Sequence, residues 1–158
     1  MLKTIAPPPR KKAKSQSQFL RQRWPEFYQW RRENRDGLVF PMPAKESTNA
    51  SFGGHWRTRK DATDAFLGQC DTLKSHGLMP PPPDVPPLMV RMRVTMFVAR
   101  YNDDGNAVGR LKRIEDWLTR NGYIFDDSRK HLKLEMPEQF LCGKTPQRVV
   151  VELEVLET

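Results

Sequence analysis

An α+β domain is the fold class this sequence predicts: two layers, a mixed β-sheet with helices packed on it, preceded by a basic N-terminal extension. Three observations lead there. Residues 89–99 alternate between apolar and polar side chains, the period of a half-buried strand. Two stretches, one over 58–76 and one following Asp103, carry apolar residues at helical spacing and stop at glycines, Gly77 and Gly122. Alternation then returns over 130–136 and 148–156. The order strand, helix, strand, helix, strand, strand places helices on a mixed sheet.

In chain order, the extension covers residues 1–36 and the folded domain residues 37–158. Pro7–Pro9 precedes Arg10, Lys11, Lys12 and Lys14, and then serine and glutamine, the composition of a flexible basic tail. From Phe19 to Asn34, Leu20, Trp24, Phe27 and Trp30 recur at near-helical spacing, with Pro25 suited to a first turn. Arg21, Arg23, Arg31, Arg32 and Arg35 are interleaved with them. Basic residues among aromatics suit single strands or forks, through phosphate contact and base stacking. The other reading is that the aromatic face docks on the core or on a partner subunit.

Leu38–Met42 reads as the first strand, and 44–54 as a polar loop. The helix from Thr58 to about His76 has Ala62, Ala65, Phe66 and Leu73 as its core face. Pro80–Pro83 and Pro86–Pro87 forbid helix and interior strand, so this segment is an extended connector. In the strand over 89–99, Val90, Met92, Val94, Met96 and Val98 point inward, leaving a basic outer face with Arg91 and Arg93. The next helix buries Ala107, Leu111, Ile114 and Leu118, with Trp117 beside them, and an apolar run, Tyr123–Phe125, returns as a short strand. Over 130–136, Leu132, Leu134 and Met136 face inward; 137–147 is a loop; over 148–156, Val149, Val151, Leu153 and Val155 share a face.

The 158 residues suffice for one core plus an appendage. The net charge of +8 is concentrated: residues 1–36 hold 10 Lys/Arg against 3 Asp/Glu, and the remainder is near +1. Such an arm suits phosphate binding, or serves as a solubilising tail. Cys70 and Cys142 belong to no metal-spaced motif. No export signal or membrane-length apolar run is present, so the expectation is a soluble, cytoplasmic protein without a membrane partner.

The chemistry concentrates in Tyr101–Lys130. An acidic turn (Asp103, Asp104, Gly105, Asn106) opens this stretch, and a second acidic pair, Asp126 and Asp127, follows its helix. Clustered carboxylates in a basic chain call for a divalent cation. Magnesium, or manganese in its place, is held by a few carboxylates plus substrate phosphate, and makes a water nucleophilic. A helix of about 15 residues spans ~22 Å, and a four-residue strand recovers only ~13 Å. The two acidic clusters therefore meet only if the helix is short or tilted, or across a dimer interface. The structural alternatives are plain: Asp103 or Asp104 caps the helix, Lys112 pairs with Asp116 at i, i+4, and His55 and His131 are surface or packing residues.

Taken together, Asp103-Asp104-Gly105-Asn106, then Leu111-Lys112, then Asn121–Ser128 resembles the RusA-like Holliday-junction resolvases. That family shows a D-x-D-N turn, a lysine on the next helix and a G-x-x-x-D-D-S/A turn. Upstream, Thr48–Ser51 and His55–Lys60 resemble its substrate loop, so the likeness covers about residues 38–156. The resemblance implies a homodimeric, magnesium-dependent endodeoxyribonuclease that cuts Holliday junctions or related forks and flaps in recombination and repair. Asp103, Asp104 and Asp127 would hold metal, and Lys112 would stand by the scissile phosphate. Asn49, His55, Trp56, Arg57, Arg59, Lys60 and Asn106 would contact DNA. The family's second aspartate falls on Gly105, which offers no ligand unless Asp104 takes its place. A member that binds branched DNA without cutting it, or one recruited to a partner through the aromatic arm, are the alternatives.

Overall fold

The computed structural model describes residues 37–44 and 56–158, and Gln29; the N-terminal extension otherwise, and residues 45–55, lie outside the described residues. The elements are β1 (Gly37–Pro41), α1 (Trp56–Ser75), β2 (Met89–Val98), α2 (Asp104–Arg110), α3 (Lys112–Arg120), β3 (Leu132–Leu134), β4 (Glu138–Leu141) and β5 (Arg148–Glu157). They build the mixed, five-stranded α+β sheet that the periodicity predicts. β2 and β5 form its antiparallel centre, β1 lies antiparallel on the far side of β5, and β3 and β4 run in succession, parallel to β2. A parallel neighbour requires a crossover, and α2 and α3 supply it. No helix among the described residues is long and apolar enough to cross a membrane.

The inward residues of β2 (Val90, Met92, Val94, Met96, Val98) are all buried. With Phe40, Val149 and Val151 they share one core with Phe66, Cys70 and Leu73 of α1 and with Ile114, Trp117 and Leu118 of α3. Burial pushes the Cys70 thiol well above its ordinary value, so this cysteine is a packing residue. Trp117 joins the layers: its ring meets Phe40 edge-on with centroids 5.5 Å apart, and it stacks on Tyr123 at 5.5 Å. Its Nε1–H donates to Asp71 Oδ1 at 2.8 Å, giving the buried indole a partner.

Both predicted glycine stops are used. Gly77 and Gly122 adopt φ of 71° and 77°, the left-handed region that costs glycine least. At each, the residue after the glycine bonds back to the helix, Leu78 N–H to Leu73 O and Tyr123 N–H to Leu118 O, both at 3.0 Å.

Several segments depart from expectation. The single helix after Asp103 is interrupted at Leu111, whose N–H bonds to Val108 O at 3.0 Å, an i−3 bond that tightens the turn after Gly109. Tyr123–Phe125 is not a strand; Tyr123 and Ile124 are buried in the turn that leaves α3. β3 is shorter than predicted, and the expected loop contains β4. Met92 pairs with Leu134 but Thr95 with Glu138, so one extra residue is inserted around Pro137, which has no N–H to donate. That insertion inverts the alternation: Met136 leaves the core and is 58% exposed. Val155, also expected inside, is half exposed beside Pro86 and Pro87, where the core ends.

The outer face of β2 is not the basic surface that its sequence suggests. Cross-strand register sets Arg91 opposite Glu154. Arg91 lies 3.5 Å from Glu135 and 3.1 Å from Glu154; Arg93 lies 3.3 Å and 3.7 Å from the same two. These exposed pairs contribute little stability, but they neutralise the arginines.

Candidate active site

The strand β2 delivers the chain to Asp103 through residues 99–102, and β4 and its following loop hold that passage in place. Gln139 Oε1 accepts from the backbone N–H of Asn102 at 2.8 Å and from its side chain at 3.2 Å, while Gln139 Nε2 donates to Asn102 O at 2.9 Å. Gln147 Oε1 accepts from Ala99 N–H at 3.3 Å. Gln139 turns inward only because of the one-residue insertion before β4, so single-strand periodicity could not identify it as a positioning residue.

Asp103 caps α2. Its Oδ1 accepts from Asn106 N–H at 2.8 Å and its Oδ2 from Asn106 Nδ2 at 3.0 Å. The capping alternative is therefore realised at Asp103. Asp104 occupies the first turn of α2, exposed. Gly105 is helical and has no positive φ, so it does not bend the turn to redirect Asp104.

Lys112, the first residue of α3, bonds through Nζ to Asp127 Oδ2 and lies 3.4 Å from Asp116 Oδ1. The Asp127 hydrogen bond is the main reason its ammonium pKa is raised, so the side chain stays cationic. Asp126 turns to the adjacent backbone: its bond from the Ser128 hydroxyl holds the carboxyl below its ordinary value. The two aspartates thus divide the work, one closing the turn and one meeting Lys112. His131 is a packing residue as expected, its ring 4.6 Å from Phe125 and its Nδ1 2.8 Å from Leu88 O.

Glu115, one turn after Lys112, is a site residue that motif reading missed. It lines a cleft of about 550 Å³ together with Asp127. Burial raises its carboxyl pKa to about 7; Lys112 opposes the shift, and the Asp127 and Asp116 charges add to it. The signal present in the sequence was its position on the Lys112 face at i+3. Nothing local indicated that this face would be half-buried against Asp127.

Lys112 and Asp127 are thus brought together, and so are Asp103 and Asn106. No hydrogen bond or ion pair among the described residues joins Asp103 or Asp104 to Lys112 or Asp127. No group of three or more His, Cys, Asp or Glu side chains among the described residues is arranged to hold a metal ion. In kind the donors suit magnesium, which takes one or two carboxylates and completes its shell with phosphate and water. Asp127 and Glu115 line one cleft. Asn49 and His55 lie outside the described residues, as do the side chains of Trp56, Arg57 and Arg59 at the start of α1; Lys60 is exposed on that helix. No protein-family model matches the chain, and no curated protein matches it.

Proposed function

We propose that the chain is a structure-specific endodeoxyribonuclease, a dimer that hydrolyses phosphodiesters in branched DNA with magnesium or manganese. The observation that supports this best is the direct bond between Lys112 and Asp127, side chains fifteen residues apart. The resemblance independently gives these two positions to the phosphate and the metal. Asp127 would hold the cation, with Asp103 and Asp104 from the α2 end as the further carboxylates. The cation would supply a water of lowered pKa and neutralise phosphate charge. Lys112 is a permanent cation steered by Asp127 and Asp116, a fixed positive charge for the developing negative charge on phosphate. Glu115, titrating near neutrality, can hold or release a proton beside that pair. Gln139 fixes the loop that presents Asp103.

A second reading, a protein of this fold that binds branched DNA without cutting it, is favoured by one observation. Asp103 spends both carboxylate oxygens on Asn106, and Gly105 contributes none. A labelled four-way junction with magnesium separates the two. Cleavage by the wild type that is lost in Asp127→Asn, with binding retained, supports the nuclease. Tight binding with no cleavage by either protein refutes it in favour of the binder.

A further inference from the structure

The cleft that Asp127 and Glu115 share extends beyond any pair of carboxylates. It runs from the helical layer to β3, which among the described residues pairs with β2 alone. Its volume of about 550 Å³ lies within the range of pockets that take small organic groups. Val108 and Met136, 37% and 58% exposed, put unusual apolar surface there, joined by Leu134. Met136 is exposed because of the insertion before β4, so this apolar wall is a product of the fold.

The charges on the cleft are unequally committed. Asp127 is bonded to Lys112, and Glu135 is held by Arg91 and Arg93. Arg129 and Lys133, both exposed, also line the cleft, and no ion pair holds either of them among the described residues. Apolar side chains bounded by uncommitted cations, next to a candidate phosphate site, match one kind of ligand: an unstacked base on its phosphodiester backbone.

We propose that this cleft receives an unpaired nucleotide of the branched substrate, its base against Val108, Leu134 and Met136 and its flanking phosphates on Arg129 and Lys133. The inference rests on the nuclease reading and sharpens it, because a cleft that takes a base selects branched DNA carrying an unpaired base, whose unstacking costs least, over continuous duplex.

The test uses the full chain with EDTA, so that cleavage plays no part. A three-way junction carrying one unpaired 2-aminopurine at its branch is compared with a fully paired duplex of equal length. The wild type is expected to prefer the junction on the order of tenfold and to change the 2-aminopurine emission on binding. The double variant Arg129→Ala, Lys133→Ala should lose that preference and lower the salt slope by ~0.7 per contact removed. Met136→Asp should abolish the emission change; both variants alter exposed side chains, and unchanged thermal unfolding verifies their fold. Equal wild-type affinity for the two DNAs, or variants that retain preference and emission change, overturns the proposal. Where the wild type still cuts four-way junctions with magnesium, such a result removes the cleft assignment alone. Where it binds no branched DNA at all, the nuclease reading falls with it.

Discussion

Glu115 is the residue whose perturbation is most sharply defined. Its carboxyl is moved from 4.5 to about 7, chiefly by burial, with Lys112 opposing and the Asp127 and Asp116 charges reinforcing. At ~1.4 kcal/mol per pH unit the full shift corresponds to ~3 kcal/mol. The carboxyl keeps partial contact with water, and screening reduces this to ~1–2 kcal/mol. The sign follows from proton binding. Between 4.5 and about 7 the folded state holds a proton that the unfolded chain has released, so stability falls as pH rises through that window. Glu115→Gln keeps the shape and removes the ionisation. In EDTA, its Tm should match that of the wild type near pH 4 and exceed it near pH 8 by about 3–6 °C. Thermal unfolding followed by circular dichroism at several pH values reads this directly. A difference between the two proteins that does not vary with pH, or a variant less stable than wild type at alkaline pH, refutes the burial of this carboxyl.

Gly105→Asp should be accommodated, since an added Cβ meets only Asp103 Oδ1 at 3.9 Å and the residue is helical; under the nuclease reading it raises magnesium-dependent junction cleavage, and unchanged or lower cleavage counts against Gly105 as the missing ligand. Trp117→Ala removes the ring that joins Phe40, Tyr123 and Asp71 and should cost ~3–5 kcal/mol in urea unfolding, whereas Asp71→Ala, which orphans the indole N–H, should cost ~1–3 kcal/mol. Arg91→Ala should leave junction affinity and its salt slope unchanged, because Glu135 and Glu154 already balance that arginine; a slope reduced by ~0.9 per lost contact would show that it meets phosphate instead. Asp103→Ala should destabilise the fold by ~1 kcal/mol in urea unfolding through the lost cap, and Asp103→Asn should restore most of this stability; under the nuclease reading it would not restore cleavage.

Local periodicity determined much of this molecule. The alternation in β2, the helical stripe of Ala107, Leu111, Ile114 and Leu118, and the stops at Gly77 and Gly122 are consequences of backbone geometry acting over a few residues, and all are realised. The structure alone decided features that depend on distant partners. One residue inserted around Pro137 turned an expected loop into β4, expelled Met136 and turned Gln139 inward to hold Asn102. Register between β2 and β5 set Glu154 opposite Arg91 and neutralised an apparently basic face. At the site, the acidic pair Asp126 and Asp127 is visible in the sequence, and the resemblance singles out Asp127. The fold separated them, giving Asp126 to its own turn and Asp127 to Lys112, and it placed Glu115 beside that pair. Side-chain identity sets what a group can do, but burial and neighbours brought from elsewhere in the chain set its protonation and its partner.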